Sequence, residues 1–109
     1  MRIRKDSTLM NETEINLVAN VSDALAHPVR IMLYQYIMSC NKELREVCNK
    51  DLVEVFDYSQ ATISQHMKKL VQSELVQMKK VDRKSVYYAN IGMLNRYLAA
   101  TRKFSTFQA

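Results

Sequence analysis

A mainly α-helical fold with a single β-hairpin, in the order ααααββα, is what this sequence predicts. Three observations lead there. The 109 residues include one Gly and one Pro; tight-turn architectures use both heavily, so helices with few, short connections are favoured. Apolar residues recur at helical spacing in successive stretches, several of them opened by a capping residue. Two adjacent runs alone have β character, on either side of Asp82-Arg83-Lys84. A chain of this length holds one domain around one core.

Residues 1–11 read as an N-terminal arm, 12–103 as the domain and 104–109 as a C-terminal tail. Asn11 and Glu14 have capping-box spacing, and Leu17, Val18, Val21, Ala24 and Leu25 follow at helical spacing, predicting a first helix over roughly 12–26. His27-Pro28 interrupts it, with Pro28 suited to the first position of a second helix. Val29, Met32, Leu33, Tyr36, Ile37 and Cys40 form the buried stripe expected of that helix. After a polar connection, Leu52, Val55 and Phe56 mark a short third helix, about 49–56. Asp57-Tyr58-Ser59 is a brief turn, and Ser59 is the N-cap expected for a fourth helix with the narrow apolar stripe Ile63, Met67, Leu70 and Val71. Leu75–Val81 and Ser85–Ala89 are the strand-like runs, and Ile91, Leu94, Tyr97 and Leu98 predict a last amphipathic helix over about 91–103.

Charge is informative by position. Residues 1–58 hold seven Lys/Arg against nine Asp/Glu, residues 59–85 six against two, and residues 86–109 three against none. A basic half joined to an acidic one suggests a surface that faces a polyanion. Met1-Arg2-Ile3-Arg4-Lys5 has no apolar run behind it to make a signal peptide, and no stretch approaches the ~18 apolar residues of a spanning helix. The expectation is a cytoplasmic protein with no membrane association. No Ser-His-Asp, paired-carboxylate or Gly-rich phosphate arrangement is present, so neither an enzyme nor a cofactor is expected. His27 reads as a helix-start residue and His66 as a structural hydrogen-bonding one; Tyr34, Tyr36, Tyr87, Tyr88 and Tyr97 read as core and interface aromatics.

Two helices around a three-residue turn, just before a hairpin, match the winged helix-turn-helix plan, whose second helix enters the major groove of DNA. That helix must be apolar on one side and able to read base edges on the other. The fourth helix carries Gln60, Thr62, Ser64, Gln65, Lys68 and Lys69 away from its stripe, with Ser59 at its start and no acidic residue before Glu74. Gln, Ser and Thr can hydrogen-bond base edges or phosphates, and Lys supplies phosphate contacts. Arg83 and Lys84 stand at the hairpin tip, as a wing along the backbone or minor groove requires. Double-stranded DNA is therefore the expected partner.

The chain resembles the ArsR/SmtB family of winged-helix repressors over about residues 20–98. The stretches Ala24-Leu25-Ala26-His27-Pro28-Val29-Arg30, Ser59-Gln60-Ala61-Thr62-Ile63-Ser64-Gln65-His66-Met67-Lys68-Lys69-Leu70 and Val86-Tyr87-Tyr88 carry the resemblance. It implies a dimer built from the first and last helices, an imperfect palindromic operator, release by an inducer, and DNA contacts at Gln60, Ala61, Ser64 and Gln65. The residues suggest the dimer independently. One small core cannot easily cover the apolar faces of both terminal helices, Leu17/Val21/Leu25 and Leu94/Tyr97/Leu98. Pairing about a two-fold axis would bury both and set two recognition helices about one DNA turn apart.

The inducer is not legible. Family members that bind metal between their last helices use Asp, His and Glu, and 91–107 contains none of these and no Cys. The other family site has a Cys-x-Cys-Asp-Leu or Cys-x-Gly-Asp-Leu pattern in the third helix. Here Cys48-Asn49-Lys50-Asp51-Leu52 keeps the first cysteine and puts Lys50 where the pattern has its second Cys or its Gly, so no metal is expected. Cys40 and Cys48 form neither a secreted framework nor a CxxC pair, but remain candidates for a thiol sensor. Cys40 reads as a small buried hydrophobe, whereas Cys48, near a helix start with Arg45 and Lys50, is the more reactive candidate. The alternatives are a thiol-responsive regulator using Cys48, with or without Cys40, and a winged-helix protein-interaction module that binds no DNA. A thiol enzyme using Cys48 is disfavoured because no partner His or second close Cys accompanies it.

Overall fold

The computed structural model describes residues 9–108; positions 1–8 of the expected arm, and Ala109, lie outside it. Its elements are α1 (Glu12–Leu25), α2 (Pro28–Lys42), α3 (Asn49–Phe56), α4 (Gln60–Gln72), β1 (Val76–Val81), β2 (Lys84–Ala89) and α5 (Ile91–Thr101), followed by a 3₁₀ helix over Arg102–Phe107. The expected order is observed. The tail expected at 104–109 differs: its first four residues continue that 3₁₀ helix.

Side chains start four of the helices, at Asn11, His27 and Ser59 as the sequence led us to expect and at Asn90 in addition. The Glu14 N–H donates to Asn11 Oδ1 at 2.8 Å while the Asn11 N–H donates to Glu14 Oε1 at 3.1 Å, a reciprocal capping box for α1. At α2, His27 Nδ1 accepts from the Val29 N–H at 3.1 Å, with Pro28 just behind it. Ser59 caps α4 by accepting the Thr62 N–H at 3.1 Å. Asn90 caps α5 by accepting the Met93 N–H at 3.3 Å.

The core is one cluster in which Leu33, Ile37, Leu52, Ile63, Met67, Leu70 and Leu75 are fully enclosed. α2 runs through it, but its buried residues are Leu33, Tyr34, Ile37 and Cys40, while Met32 is exposed. Apolar residues cover so much of α2 that spacing alone does not say which part of a wide stripe turns inward. Val21, expected on a dimer face, is a second correction. At 1% exposure it is enclosed in its own protomer's core and has no surface to offer a partner.

β1 and β2 pair antiparallel from Val76↔Ala89 to Val81↔Lys84. Val86 and Tyr87 are both buried although they are sequence neighbours on opposite faces of β2. The base of the hairpin is held on two sides, by α2 and by α3. Cys48 forms a β-bridge with Val86, and the Tyr87 N–H donates to Val47 O at 2.8 Å. The Tyr87 hydroxyl reaches Asn49 Oδ1 at 3.1 Å, and the Ala89 N–H reaches Asn41 Oδ1 at 2.8 Å. The end of α2, the connector and the start of α3 thus hold the base of the hairpin, the connector through a single β-bridge.

Candidate nucleic-acid interface

α3 and α4 meet through Asp57, Tyr58 and Ser59. Asp57 makes the corner in a left-handed conformation, φ 53°, which a short polar residue tolerates. Ile63, Met67 and Leu70 hold α4 in the core, so the opposite face points outward. Gln60, Ala61, Ser64, Gln65, Lys68 and Lys69 are all exposed there. Three expected contacts also have local partners. The Ser59 hydroxyl donates to Thr62 Oγ1 at 2.9 Å, and Thr62 is half-buried. Lys69 Nζ stands 3.6 Å from Asp23 Oδ2 on α1, an exposed pair of little energetic weight.

A cleft of about 790 Å³ opens between the start of α3, the start of α4 and the hairpin. Gln60 and Ser64 line one wall, and Lys80, Arg83, Lys84 and Ser85 the other. Lys50 and Asn49 form its end. The structure thus brings Gln60 and Ser64 and the hairpin-tip cations to one opening, while Ser59, Ala61, Thr62, Gln65, Lys68 and Lys69 fall outside its lining. Lys50 and Lys80 were not among the sequence candidates. The Lys79-Lys80 pair was a visible signal, but nothing in local spacing shows that the start of α3 closes the same cleft.

One carboxylate lining the cleft is tied down. Asp51 Oδ2 accepts both the Cys48 N–H, at 2.9 Å, and the Cys48 thiol, at 3.2 Å. The Cys48 backbone hydrogen bond, with lesser help from the thiol and the Lys84 and Lys50 charges, lowers the Asp51 pKa against the opposing effect of desolvation. Cys40 is 2% exposed and Cys48 9%, and neither is in a disulfide. No group of three or more His, Cys, Asp or Glu suited to a metal ion occurs among the described residues.

α4 is anchored from behind by Arg30. Its Nε donates to Ala24 O at 2.6 Å and its Nη2 to Asp23 O at 3.2 Å, capping the end of α1. Its Nη1 lies 3.3 Å from His66 Nδ1. Because guanidinium can only donate, Nδ1 is the acceptor in that contact, a role that the neutral ring with its proton on Nε2 can fill. Desolvation, then the nearby His27 and Arg30, lowers the His66 pKa. The rings of His27 and His66 lie 4.6 Å apart.

A helix-turn-helix with an outward polar face, joined to a cationic two-stranded wing, defines the winged helix-turn-helix class of DNA-binding module. The chain belongs to the ArsR family of bacterial regulatory proteins, whose model matches residues 37–78. It is 37% identical over 81 residues to an arsenical resistance operon repressor of Staphylococcus xylosus, covering 74% of this chain and 70% of that one. A repressor of the same description from Staphylococcus aureus is 42% identical over 59 residues, 54% of this chain and 53% of that one. Among solved structures, a possible transcriptional regulator for arsenical resistance superposes with a TM-score of 0.64 at 28% identity, covering 75% of this chain and 80% of that one. An ArsR-like transcriptional regulator from Rhodococcus superposes with a TM-score of 0.73 at 20% identity, covering 86% and 84%; that likeness shows the fold. The protein is a DNA-binding transcriptional regulator. No helix among its described residues is long and apolar enough to cross a membrane.

Proposed function

We propose that the protein is a homodimeric repressor that reads an imperfect palindromic operator and works in the cytoplasm without catalysis. The observation that carries this is the shared cleft. Gln60 and Ser64 of α4 face the wing cations Lys80, Arg83 and Lys84 across it. With α4 in the major groove, the sugar-phosphate ridge of one strand would lie along this cleft, within reach of Lys50 and Lys84. Gln60, Ser64 and Gln65 then read base edges, with Ala61 beside them, while Ser59, Thr62, Lys68 and Lys69 hold the flanking backbone.

Support for the dimer comes from the chain's last segments. Leu98 is 46% exposed, and Ile91, Phe104 and Phe107 are also exposed large apolar side chains. Leu17, Leu25, Leu94 and Tyr97 are half-buried against the core beside them. A second copy related by a two-fold axis would cover that row and pair the recognition helices.

The relatives are named for arsenical resistance, and trivalent arsenic, like soft metals, wants two or three thiolates. The two thiols here, one of them enclosed in the core, are a poor match. The signal we infer is a thiol-reactive compound acting at Cys48, with Cys40 too deeply buried to lead.

The test is a gel-shift titration on a duplex obtained by selection. Gln60→Ala and Ser64→Ala should each cost about 1–3 kcal/mol on the selected site and little on random DNA. Unchanged affinity in both variants would rule out α4 as the reading element.

A further inference from the structure

Arg30 leaves α2 to bond two other helices at once. Its Nε donates to Ala24 O at 2.6 Å and its Nη2 to Asp23 O at 3.2 Å, both in the last turn of α1. α1 has no basic residue of its own there, so Arg30 supplies the cation that the negative end of a helix favours. Its Nη1 stands 3.3 Å from His66 Nδ1, in the middle of α4. Beside that contact the His27 ring lies 4.6 Å from the His66 ring, and Lys69, one turn along α4, pairs with Asp23 at 3.6 Å. The corner between α1 and α2 thus grips α4 next to the buried Ile63, Met67 and Leu70. Burial of that stripe has no direction. The Arg30–His66 bond has one, and any rotation of α4 about its axis carries Gln60 and Ser64 with it.

We propose that Arg30 is a positioning residue for the reading of DNA: through His66 it fixes how α4 is turned relative to the end of α1, and a proton on His66 Nδ1 releases that hold. This rests on the DNA reading proposed above. Base-edge contacts demand placement to within about 0.5 Å, whereas the charge of flexible lysines on phosphates survives a small turn. A protonated His66 sets an N–H against a guanidinium that can only donate. Arg30 and His27 face the ring from α2 and its cap, while Lys69 on α4 and Asp23 on α1 are paired with each other. Among the described residues, no charged group of α3 or β1, which also pack on α4, acts on the His66 pKa. Desolvation, then His27 and Arg30, lowers that pKa, so the release falls below about pH 6.5. Acid therefore costs specific binding, and the added positive charge spares non-specific binding.

The experiment titrates a site that the unaltered chain selects from a random duplex library, and a random duplex, at pH 7.5 and pH 5.5 and one ionic strength. The proteins are the unaltered chain, Arg30→Lys, His66→Asn and His27→Asn, each titrated below its thermal unfolding midpoint. From pH 7.5 to 5.5 the unaltered chain should lose about tenfold in preference for the selected site, the worth of one base contact, with no loss on the random duplex. Asn sets an acceptor oxygen near the former Nδ1, does not titrate and matches His in helix propensity. His66→Asn should therefore keep its preference at both pH values. His27→Asn, which keeps a cap acceptor, should lose preference in acid as the unaltered chain does. The single nitrogen of lysine cannot hold α1 and His66 together; Arg30→Lys should show about tenfold less preference at pH 7.5 and little further change in acid. A flat response in the unaltered chain overturns the proposal, as does a response that survives in His66→Asn or vanishes in His27→Asn. Full preference in Arg30→Lys overturns it too, and so do equal losses on selected and random DNA, which would mark Arg30 as structural only. If the unaltered chain selects no motif, the DNA reading itself fails.

Discussion

Cys48 donates twice to one oxygen of Asp51, through its backbone N–H at 2.9 Å and its thiol at 3.2 Å. The pair starts α3, and the same Cys48 bridges to Val86 of the wing. Cys48 is therefore built into a helix cap by its side chain and backbone and into the support of the hairpin by its backbone.

Removing the Asp51 carboxylate should loosen the start of α3. Asp51→Ala is expected to cost about 1 kcal/mol, as a lost cap does, and Asp51→Asn less because an acceptor remains. The folded pKa of Asp51 is depressed. Its charge-dependent stabilisation is therefore present above about pH 4 and lost as pH falls through the folded value. Urea midpoints at pH 7 and pH 3 measure both effects; equal acid sensitivity in the Asn variant would exclude Asp51 as the titrating group.

Modification of Cys48 should act on DNA binding through the wing. Alkylation or persulfidation enlarges a side chain that is 9% exposed and removes its donor. We expect lower operator affinity with α4 intact, and no such response in Cys48→Ser, where a hydroxyl keeps the cap. Titrating the reduced and modified forms of the unaltered chain, Cys40→Ser and Cys48→Ser tests this. A response that survives Cys48→Ser assigns the effect elsewhere.

His66 predicts an acid sensitivity near neutrality. Its folded pKa is lowered, so the unfolded chain takes up the proton first. Stability should drop as pH falls through about 6.5 and level off below the folded value. Protonation at Nδ1 would also displace the Arg30 donor. His66→Gln should flatten denaturation midpoints between pH 7.5 and 5.5, and an unchanged slope would discard the assignment.

The dimer face is best probed at Leu98. Leu94, which packs against the core, confuses assembly with folding. Leu98→Glu should give monomers in sedimentation at micromolar concentration, with the protomer's fold intact and specific binding weakened far more than non-specific binding. A dimeric Leu98→Glu would move the interface off α5.

Lys50 should behave as a phosphate contact, weakening binding to all sequences when changed to Ala. The slope of log affinity against log salt should fall by about one. An unchanged slope would mean that the α3 end of the cleft stays clear of DNA.

The helix-turn-helix was legible because its signals are local. Asn11/Glu14 and Ser59 are caps read within four residues, and Ile63, Met67 and Leu70 form a stripe narrow enough to fix one face. Where the stripe was broad, as on α2, Met32 turned outward against expectation. Val21 was assigned outward because periodicity marks an apolar face without saying which neighbour covers it. The Cys48–Val86 bridge and the Arg30–His66 contact join residues 38 and 36 positions apart. No local pattern encodes them. For the same reason Lys50 went unnoticed as a lining residue of the cleft.

The wing is tied at its base to the end of α2 through the Ala89 N–H and Asn41, to the connector through the Tyr87 N–H and Val47, and to the start of α3 through the Tyr87 hydroxyl and Asn49. Local opening should follow that attachment rather than the strand boundaries. In native-state hydrogen exchange, the Tyr87 and Ala89 amides should be protected together with those of α3, as one cooperative unit. The amides near Lys80 and Lys84, at the exposed end of the hairpin, should exchange orders of magnitude sooner. The hairpin that pairs as one ribbon would then have a floppy outer half and a rigid half that moves with α3.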